Sequence, residues 1–207
     1  IFSPIHPPNS MEMELYLVLR GRQLHQKTDE ECYHFCQDNR DLRIERNEHQ
    51  EIIIMSPTGS LSGYLNNIIS SQLYLWNQTA KLGRTFDSST GFKLPDGSNR
   101  SPDAAWVSNE AWNRLTEAEK RKFAPLCPEF VIELKSDTDD IADLKKKMQM
   151  WLSNGCRLAW LIDPDEEKAY VYRPDRAVES VEGFDQTLSG EDILPGFSLD
   201  LSLLNDD

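Results

Sequence analysis

Long apolar runs, export signals and basic residues are all scarce in this 207-residue chain. No stretch approaches the roughly 18–20 consecutive apolar residues of a membrane span, so we expect no membrane crossing. The first ten residues, IFSPIHPPNS, lack the basic start and apolar core of a signal peptide, which makes the cytoplasm the expected location. Hydrophobic residues make up 39% and charged residues 28%, which is typical of a soluble globular protein and excludes wholesale disorder.

The few cysteines show no pattern typical of a disulfide framework or a zinc site. Without an export signal, reduced thiols are expected. Cys32 and Cys36 lie four residues apart on a predicted helix, with His34 between them. A zinc site would need two further ligands at suitable spacing, and the sequence offers none. We interpret Cys32, Phe35 and Cys36 as a small apolar stripe.

A shortage of basic residues gives the chain a net charge of −13. This charge is unfavourable for contact with nucleic acid, because phosphates attract Lys and Arg. The charge is uneven, however, since residues 176–207 contain eight acids and one base, which leaves −6 for the other 175 residues. Two dense basic clusters, Lys120–Lys122 and Lys145–Lys147, occur in that larger part. The first cluster follows a capped helix and is interpreted as a solvated face or as phosphate contacts, and the sequence leaves both open.

The chain length fits one domain, which we assign to residues 25–207 after an extended, proline-containing lead-in at 1–24. Capping boxes at Thr28–Glu31 and Thr116–Glu119 predict two helix starts. Apolar residues at helical spacing predict longer helices at about 61–81 and 140–153.

Runs of β-branched and aromatic residues between turn signals predict eight strands. They cover residues 42–46, 51–55, 84–86, 92–94, 103–107, 129–135, 158–162 and 169–172. Because strands and helices are mixed along the chain, we predict an α/β fold with a central mixed sheet flanked by helices.

Two of these strands present side chains suited to metal-assisted chemistry. Alternate residues of a strand share a face, so Glu133 and Lys135 project together from the 129–135 strand. If the strand that begins at Asp103 is its neighbour, Asp103 and Glu133 converge. Two converging carboxylates repel, and one of them would normally take up a proton. Mg²⁺ would remove this conflict, because it prefers oxygen ligands and keeps several waters.

A Mg²⁺ ion at this position predicts hydrolysis of a phosphodiester. A water made more acidic by the metal can attack phosphorus. Lys135 would stabilise the developing charge or position that water, and the backbone carbonyl of Leu134 could supply a further oxygen ligand. The alternative is that Glu133 and Lys135 form a solvated pair at a strand edge and that Pro102-Asp103 is an ordinary turn.

Pro102-Asp103 followed by Glu133-Leu134-Lys135 resembles the signature of the PD-(D/E)XK nuclease superfamily, which includes many restriction endonucleases. The chain is similar in particular to a restriction-endonuclease-like family that is abundant in cyanobacteria and was long described as a domain of unknown function. The resemblance spans about residues 25–205. The matching stretches are 51–59, 100–107, 127–136, 147–156 and 194–197.

This resemblance implies a restriction-endonuclease-like core and a Mg²⁺- or Mn²⁺-dependent endonuclease that cuts DNA, working as a homodimer. It assigns metal binding to Asp103 and Glu133. It also implies that Glu45 is a further metal or water ligand, the alternative being a surface carboxylate in a hairpin. Lys147 matches a helical lysine that replaces the motif lysine in many relatives, and here the alternative is a helix-surface pair with Asp143. The sequence leaves open whether Lys135 or Lys147 is the working lysine.

A second class of function remains open at this stage. The chain could keep the nuclease fold but have little activity, and act as an accessory protein that binds nucleic acid or another protein. The net charge of −13 favours this alternative. The complete Asp–Glu–Lys set favours catalysis.

Overall fold

Two main β-sheets and five α-helices make up the described part of the structure, a computed structural model that describes residues 16–19 and 27–205. The strands are β1 (Tyr16–Leu19), β2 (Arg43–Arg46), β3 (Ile52–Met55), β4 (Gly83–Asp87), β5 (Phe92–Lys93), β6 (Asn99–Arg100), β7 (Ala104–Ser108), β8 (Phe130–Leu134), β9 (Leu158–Asp163), β10 (Lys168–Tyr172), β11 (Glu179–Glu182), β12 (Thr187–Ser189) and β13 (Ser198–Asp200). The helices are α1 (Asp29–Asp38), α2 (Ser60–Ala80), α3 (Asn109–Asn113), α4 (Glu117–Lys120) and α5 (Ile141–Ser153), followed by a 3₁₀ turn at Leu201–Leu204.

The larger sheet, sheet B, is the central mixed sheet, with strand order β11–β10–β9–β8–β7–β4. Its strands β8 and β9 are parallel, and its other neighbours are antiparallel. A parallel pair needs a long crossover connection, which here contains α5. The smaller sheet A is antiparallel, with order β1–β3–β2–β6–β5. Strands β12 and β13 form a separate pair.

Every predicted strand and both longer predicted helices are present, with ends that agree to within one residue. Both capping boxes form, with reciprocal side-chain and backbone hydrogen bonds at Thr28–Glu31 and Thr116–Glu119. The sequence patterns did not predict β1, β6, α3, β11 or β12, which are short, and they indicated a final strand or helical turn at the C-terminus only as a possibility. Strand β1 lies within the predicted lead-in, and the remainder of that lead-in, 1–15 and 20–24, lies outside the described residues.

Sheet B separates two apolar layers. One face packs on α2 and the C-terminal strands, with Trp106, Phe130 and Trp160 among its buried residues. The opposite face packs on α5, which contributes Met148 and Trp151. Residues of β8 alternate between the layers, so Glu133 projects toward α5. In the described ranges, no helix is both long and apolar enough to span a membrane.

Candidate active site

Asp103 and Glu133 lie side by side where β7 and β8 pair. Ala104 is opposite Ile132 in the antiparallel register, so the adjacent positions Asp103 and Glu133 also face each other. The backbone N–H of Leu134 donates a hydrogen bond to Oδ2 of Asp103 at 2.9 Å. The backbone therefore fixes the orientation of one carboxylate next to the other.

Glu45 joins these two carboxylates from sheet A. It lies on β2, and its carboxylate accepts hydrogen bonds from the Ser101 N–H at 2.9 Å and from Arg100 at 3.0 Å. Both donors come from the end of β6 and the short link that leads into Asp103. Glu45, Asp103 and Glu133 are 3%, 8% and 2% exposed, which excludes a surface position for Glu45.

Lys147 projects from α5 between the carboxylates. Its Nζ lies 2.9 Å from Glu133 and 4.0 Å from Oε1 of Glu45. The predicted alternative, a pair with Asp143, does not match this geometry, because Asp143 is bound by Lys146. We refer to Glu45, Asp103, Glu133 and Lys147 as the carboxylate–lysine cluster.

Burial opposes the charged form of Glu133, Glu45 and Lys147, but it prevails only at Glu133. It raises the pKa of Glu133 to about 7, since the attraction of Lys147 only partly offsets it and Asp103 adds repulsion. Burial also opposes ionisation of Glu45, but Lys147, Arg100 and the Ser101 N–H outweigh it and lower the Glu45 pKa. For Lys147, the carboxylates outweigh the loss of hydration and raise the pKa. At neutral pH, Glu45 and Lys147 are therefore charged, and Glu133 is partly protonated.

Lys135 occupies a different position from Lys147. Its ammonium binds Asp165 and lies 3.8 Å from Asp163. Burial would lower its pKa, but these two carboxylates raise it. The two candidate lysines are thus distinguished by their partners, since Lys147 contacts Glu133 and Lys135 contacts the end of β9.

Two further residues in the site were not identified from the sequence. Nε1 of Trp151 donates a hydrogen bond to Glu133 at 2.7 Å. Nη2 of Arg43 lies 3.6 Å from Oδ1 of Asp103, and this side chain is 34% exposed. Their spacing was the available signal that they share a face with known candidates. Trp151 lies four residues after Lys147 on α5, and Arg43 lies two residues before Glu45 on β2. Both patterns become informative only once one member is assigned to the site.

The residues present fit a hard divalent cation by the chemistry of their oxygen atoms. Within 27–205 and 16–19, no group of three or more His, Cys, Asp or Glu side chains is arranged to hold a metal ion. Asp103 and Glu133 nevertheless keep coordinating capacity, because a carboxylate offers about four lone-pair positions. Burial, with added repulsion from Asp103, raises the pKa of Glu133, and a bound cation would favour its ionised carboxylate.

Two solved structures are similar to parts of this chain. A solved structure from Anabaena variabilis ATCC 29413, described as a putative nuclease belonging to DUF820, is 22% identical, with a TM-score of 0.65 over 78% of this chain and 88% of that one. A DrdV–DNA complex, at 14% identity and a TM-score of 0.34, covers 58% of this chain and 12% of that one. None of the curated proteins compared matches the chain.

The central mixed sheet flanked by helices gives the chain a nuclease-like fold. The model of the Uma2 family, described as "Putative restriction endonuclease", matches residues 29–202. The chain belongs to this family.

Proposed function

We propose that this protein is an endonuclease that hydrolyses DNA phosphodiester bonds with the help of Mg²⁺ or Mn²⁺ and works as a homodimer. The observation that supports the proposal most strongly is the buried carboxylate–lysine cluster, in which Glu133 contacts Lys147 and lies beside Asp103. A purely structural core rarely buries several charged side chains in one place, because desolvation makes such burial costly. Membership of a nuclease-like family supports the same function.

The metal would be held by Asp103 and Glu133, with Glu45 and the Leu134 carbonyl as further oxygen ligands. When bound, it would supply Lewis acidity that activates water and neutralises negative charge on the phosphate. Lys147 would hold a positive charge next to the reacting phosphate, where low dielectric strengthens its effect. Trp151 fixes the Glu133 carboxylate through its N–H. The buried ends of β7 and β8 limit access of bulk water.

Arg43 is a candidate contact for the DNA backbone. It pairs with Asp103 at 3.6 Å and donates to the Ser101 carbonyl at 3.4 Å, and about a third of its side chain is exposed. A guanidinium in this position can present further N–H donors to a phosphate oxygen. Lys135 is less suited to contact a phosphate, because Asp165 and Asp163 neutralise the charge of its ammonium.

The proposal is tested by incubating supercoiled plasmid and single-stranded DNA with the protein at low salt. Reactions with no metal, Mg²⁺ and Mn²⁺ are compared for wild type, Asp103→Ala and Asp143→Ala. Asp143 is a matched control, because it is an exposed carboxylate on α5 outside the cluster. We expect metal-dependent cleavage by wild type and Asp143→Ala and its loss in Asp103→Ala. Equal cleavage by all three would identify a contaminant and remove the support for this site.

An accessory role is the second candidate, and the net charge of −13 favours it. This charge weakens the attraction to DNA phosphates that a nuclease needs. Fluorescence anisotropy with labelled duplex and single-stranded DNA, in the presence of Mg²⁺, distinguishes the two. Binding without any cleavage of either substrate would support the accessory function, whereas turnover that depends on Asp103 would exclude it.

A further inference from the structure

Helix α2 begins without the side-chain cap that the other described helices have. Helices α1, α3, α4 and α5 each begin after a Thr, Ser or Asp whose side-chain oxygen accepts from a backbone N–H of the first turn. Helix α2 begins after Gly59, which has no side chain for this purpose, and its first turn contains no acidic residue. The partial positive charge of its first N–H groups is therefore not offset within the helix start.

Three backbone donors are unused at the start of α2. Among the residues that the structure describes, Ser60, Leu61 and Ser62 find no acceptor for their N–H groups, and the first helical bond runs from the Gly63 N–H to the Gly59 carbonyl at 3.0 Å. Residues 56–61 are exposed. Apart from the adjoining backbone, no atom lies within 4 Å of a β-carbon added at position 59 or 63. A ligand can therefore reach these donors.

Ser62 adds a buried hydroxyl to the same helix start. The residue is 9% exposed, and its side chain makes no hydrogen bond within the described part of the chain. Helical side chains tilt toward the helix N-terminus, so this hydroxyl is directed back toward the unused N–H groups. Buried polar groups are normally paired, and an unpaired one calls for a partner from outside the chain. A phosphate oxygen can accept from the hydroxyl and from the N–H groups together.

The start of α2 lies at the same edge of sheet B as Asp103. The helix ends against Gly83, because Asn77 binds both backbone groups of that residue, and Gly83 pairs with Ser108 at the far end of β7. Helix α2 therefore runs from the Asp103 end of β7 toward its Ser108 end. A helix of 21 residues is about 30 Å long and a strand of five residues about 17 Å, so the helix start extends at least to the Asp103 end.

Arg43 connects this helix start with the carboxylate–lysine cluster. It pairs with Met55 across β2 and β3, and only residues 56–59 separate Met55 from α2. Nη2 of Arg43 lies 3.6 Å from Asp103, whereas its Nε is buried and has no hydrogen-bond partner. The guanidinium and the start of α2 thus offer unused donors on one side of the cluster.

The distribution of charge favours a polyanion on this side. Helix α2 packs on β4 and β7 and has no charged residue in its 21 positions. On the β9 side of the cluster, Asp163 and Asp165 neutralise Lys135, and residues 137–143 add four aspartates. Because like charges repel, DNA is directed away from the β9 side and toward α2.

We propose that the start of α2 binds a phosphate group through the N–H groups of residues 60–62 and the Ser62 hydroxyl. Arg43 completes the site on the side of Asp103. The inference rests on the proposed function for the source of this phosphate, a DNA backbone phosphate near the one that is cleaved. The contact holds the strand over the carboxylate–lysine cluster and takes no part in bond cleavage. Free phosphate has the same chemistry, so the experiment uses both sources.

Backbone amide NMR spectra, recorded during titration with inorganic phosphate and separately with a single-stranded oligonucleotide, test the site. EDTA in both titrations prevents metal-dependent cleavage, so a failure of this site is distinguishable from a failure of the proposed nuclease. We expect saturable shifts of the Ser60, Leu61 and Ser62 amide signals with both probes. Shifts with inorganic phosphate alone would overturn DNA as the source. Unchanged signals of these three residues with both probes would overturn the proposal.

Gly59→Asp tests the site without unfolding it. Gly59 has φ −66° and ψ 163°, which other residues adopt readily, and an Asp there caps the helix and accepts from the N–H groups in place of phosphate. We expect its affinity for both probes to fall at least tenfold, while thermal unfolding shows a fold at least as stable as wild type.

Two control variants separate this effect from changes of backbone and of charge. Gly59→Ala adds a β-carbon in open space but no acceptor. Val178→Asp adds the same charge at a 43% exposed position between β10 and β11, at the opposite end of sheet B from β4. Both should bind the two probes as wild type does. Affinity of Gly59→Asp equal to that of these controls would overturn the proposal.

Discussion

At the scale of single residues, the site depends on which lysine is close to the carboxylates. Lys135 and Lys147 are both compatible with the sequence motif. The structure places Nζ of Lys147 2.9 Å from Glu133, whereas Lys135 binds Asp165. Packing of α5 on β8 brings Lys147 to this position, and no local pattern on either element encodes that contact.

This difference predicts unequal effects of replacing the two lysines. Lys147→Met should reduce metal-dependent cleavage about 100-fold or more, in the range seen when one stabilising donor is removed from an active site. Lys135→Met should reduce it much less, because its charge is already paired with Asp163 and Asp165. Initial rates of plasmid nicking provide the measurement. Lys146→Met, which changes a neighbouring exposed lysine, is the control. A larger loss in Lys135→Met would contradict the assignment.

The raised pKa of Glu133 predicts an unusual pH dependence of stability. Burial raises this pKa from 4.5 to about 7, so between these values the folded protein binds a proton that the unfolded chain has released. The contribution of Glu133 to the free energy of unfolding should therefore fall as the pH rises, by about 2 kcal/mol between pH 5 and pH 7.

Urea unfolding of metal-free protein in EDTA, at pH 5, 6 and 7, measures this dependence. Glu133→Gln keeps the size of the side chain and removes the titration, so the difference between wild type and variant isolates its contribution. We expect the stability of wild type relative to Glu133→Gln to decrease with rising pH. A constant or increasing difference would show that Glu133 is ionised throughout this range.

At the scale of elements, side-chain hydrogen bonds of Asn77 hold the C-terminal end of α2 against sheet B at Gly83, where β4 lies very close to β7. The Asn77 side chain accepts from the Gly83 N–H at 3.2 Å and donates to the Gly83 carbonyl at 3.0 Å. The same side chain accepts from Nε1 of Trp106 at 3.1 Å. A β-carbon at Gly83 would lie 2.2 Å from the Val107 carbonyl oxygen, which is backbone and cannot rotate away.

Gly83→Ala should therefore destabilise the protein by about 3 kcal/mol, at the upper end of overpacking effects, because β4 and β7 must separate. Gly63→Ala is the matched control within α2, since no atom lies within 4 Å of its added β-carbon. It should stabilise the helix by up to about 1 kcal/mol. Thermal or urea unfolding of both variants gives the comparison. A neutral Gly83→Ala would show that the contact between β4 and β7 is looser than the structure indicates.

At the scale of the whole molecule, the carboxylate–lysine cluster connects elements that are far apart in sequence. Glu45 comes from sheet A, Glu133 from sheet B and Lys147 from α5, while Asp103 follows the link between the sheets. A ligand that binds this cluster would contact several elements that separate on unfolding. Binding should therefore stabilise the entire fold rather than one segment.

Addition of Mg²⁺ or Mn²⁺ should raise the thermal midpoint of unfolding. At a metal concentration of about 100 times Kd, the stabilisation would be about 2.7 kcal/mol, or about 5–10 °C for a protein of this size. Differential scanning fluorimetry measures the shift. Asp103→Asn should abolish most of it, and Asp143→Asn should retain it. An identical shift in both variants would place metal binding outside the cluster.

Much of this organisation could be predicted from local patterns. Capping boxes identified helix starts, since their reciprocal hydrogen bonds are formed by residues three apart. Strand alternation identified the face of β8 that holds Glu133, since it depends only on backbone geometry. The short strands β1 and β6 were not predicted, because they are defined by pairing with residues distant in sequence.

The sequence by itself determined the α/β class, the positions of the main helices and strands, and the candidate residues Asp103 and Glu133. These properties depend on interactions between residues a few positions apart. The tertiary structure decided that Glu45 is buried beside them, that Lys147 rather than Lys135 contacts Glu133, and that Arg43 and Trp151 belong to the site. Those contacts join residues from different elements, and only the packing of α5 and sheet A against sheet B brings them within reach.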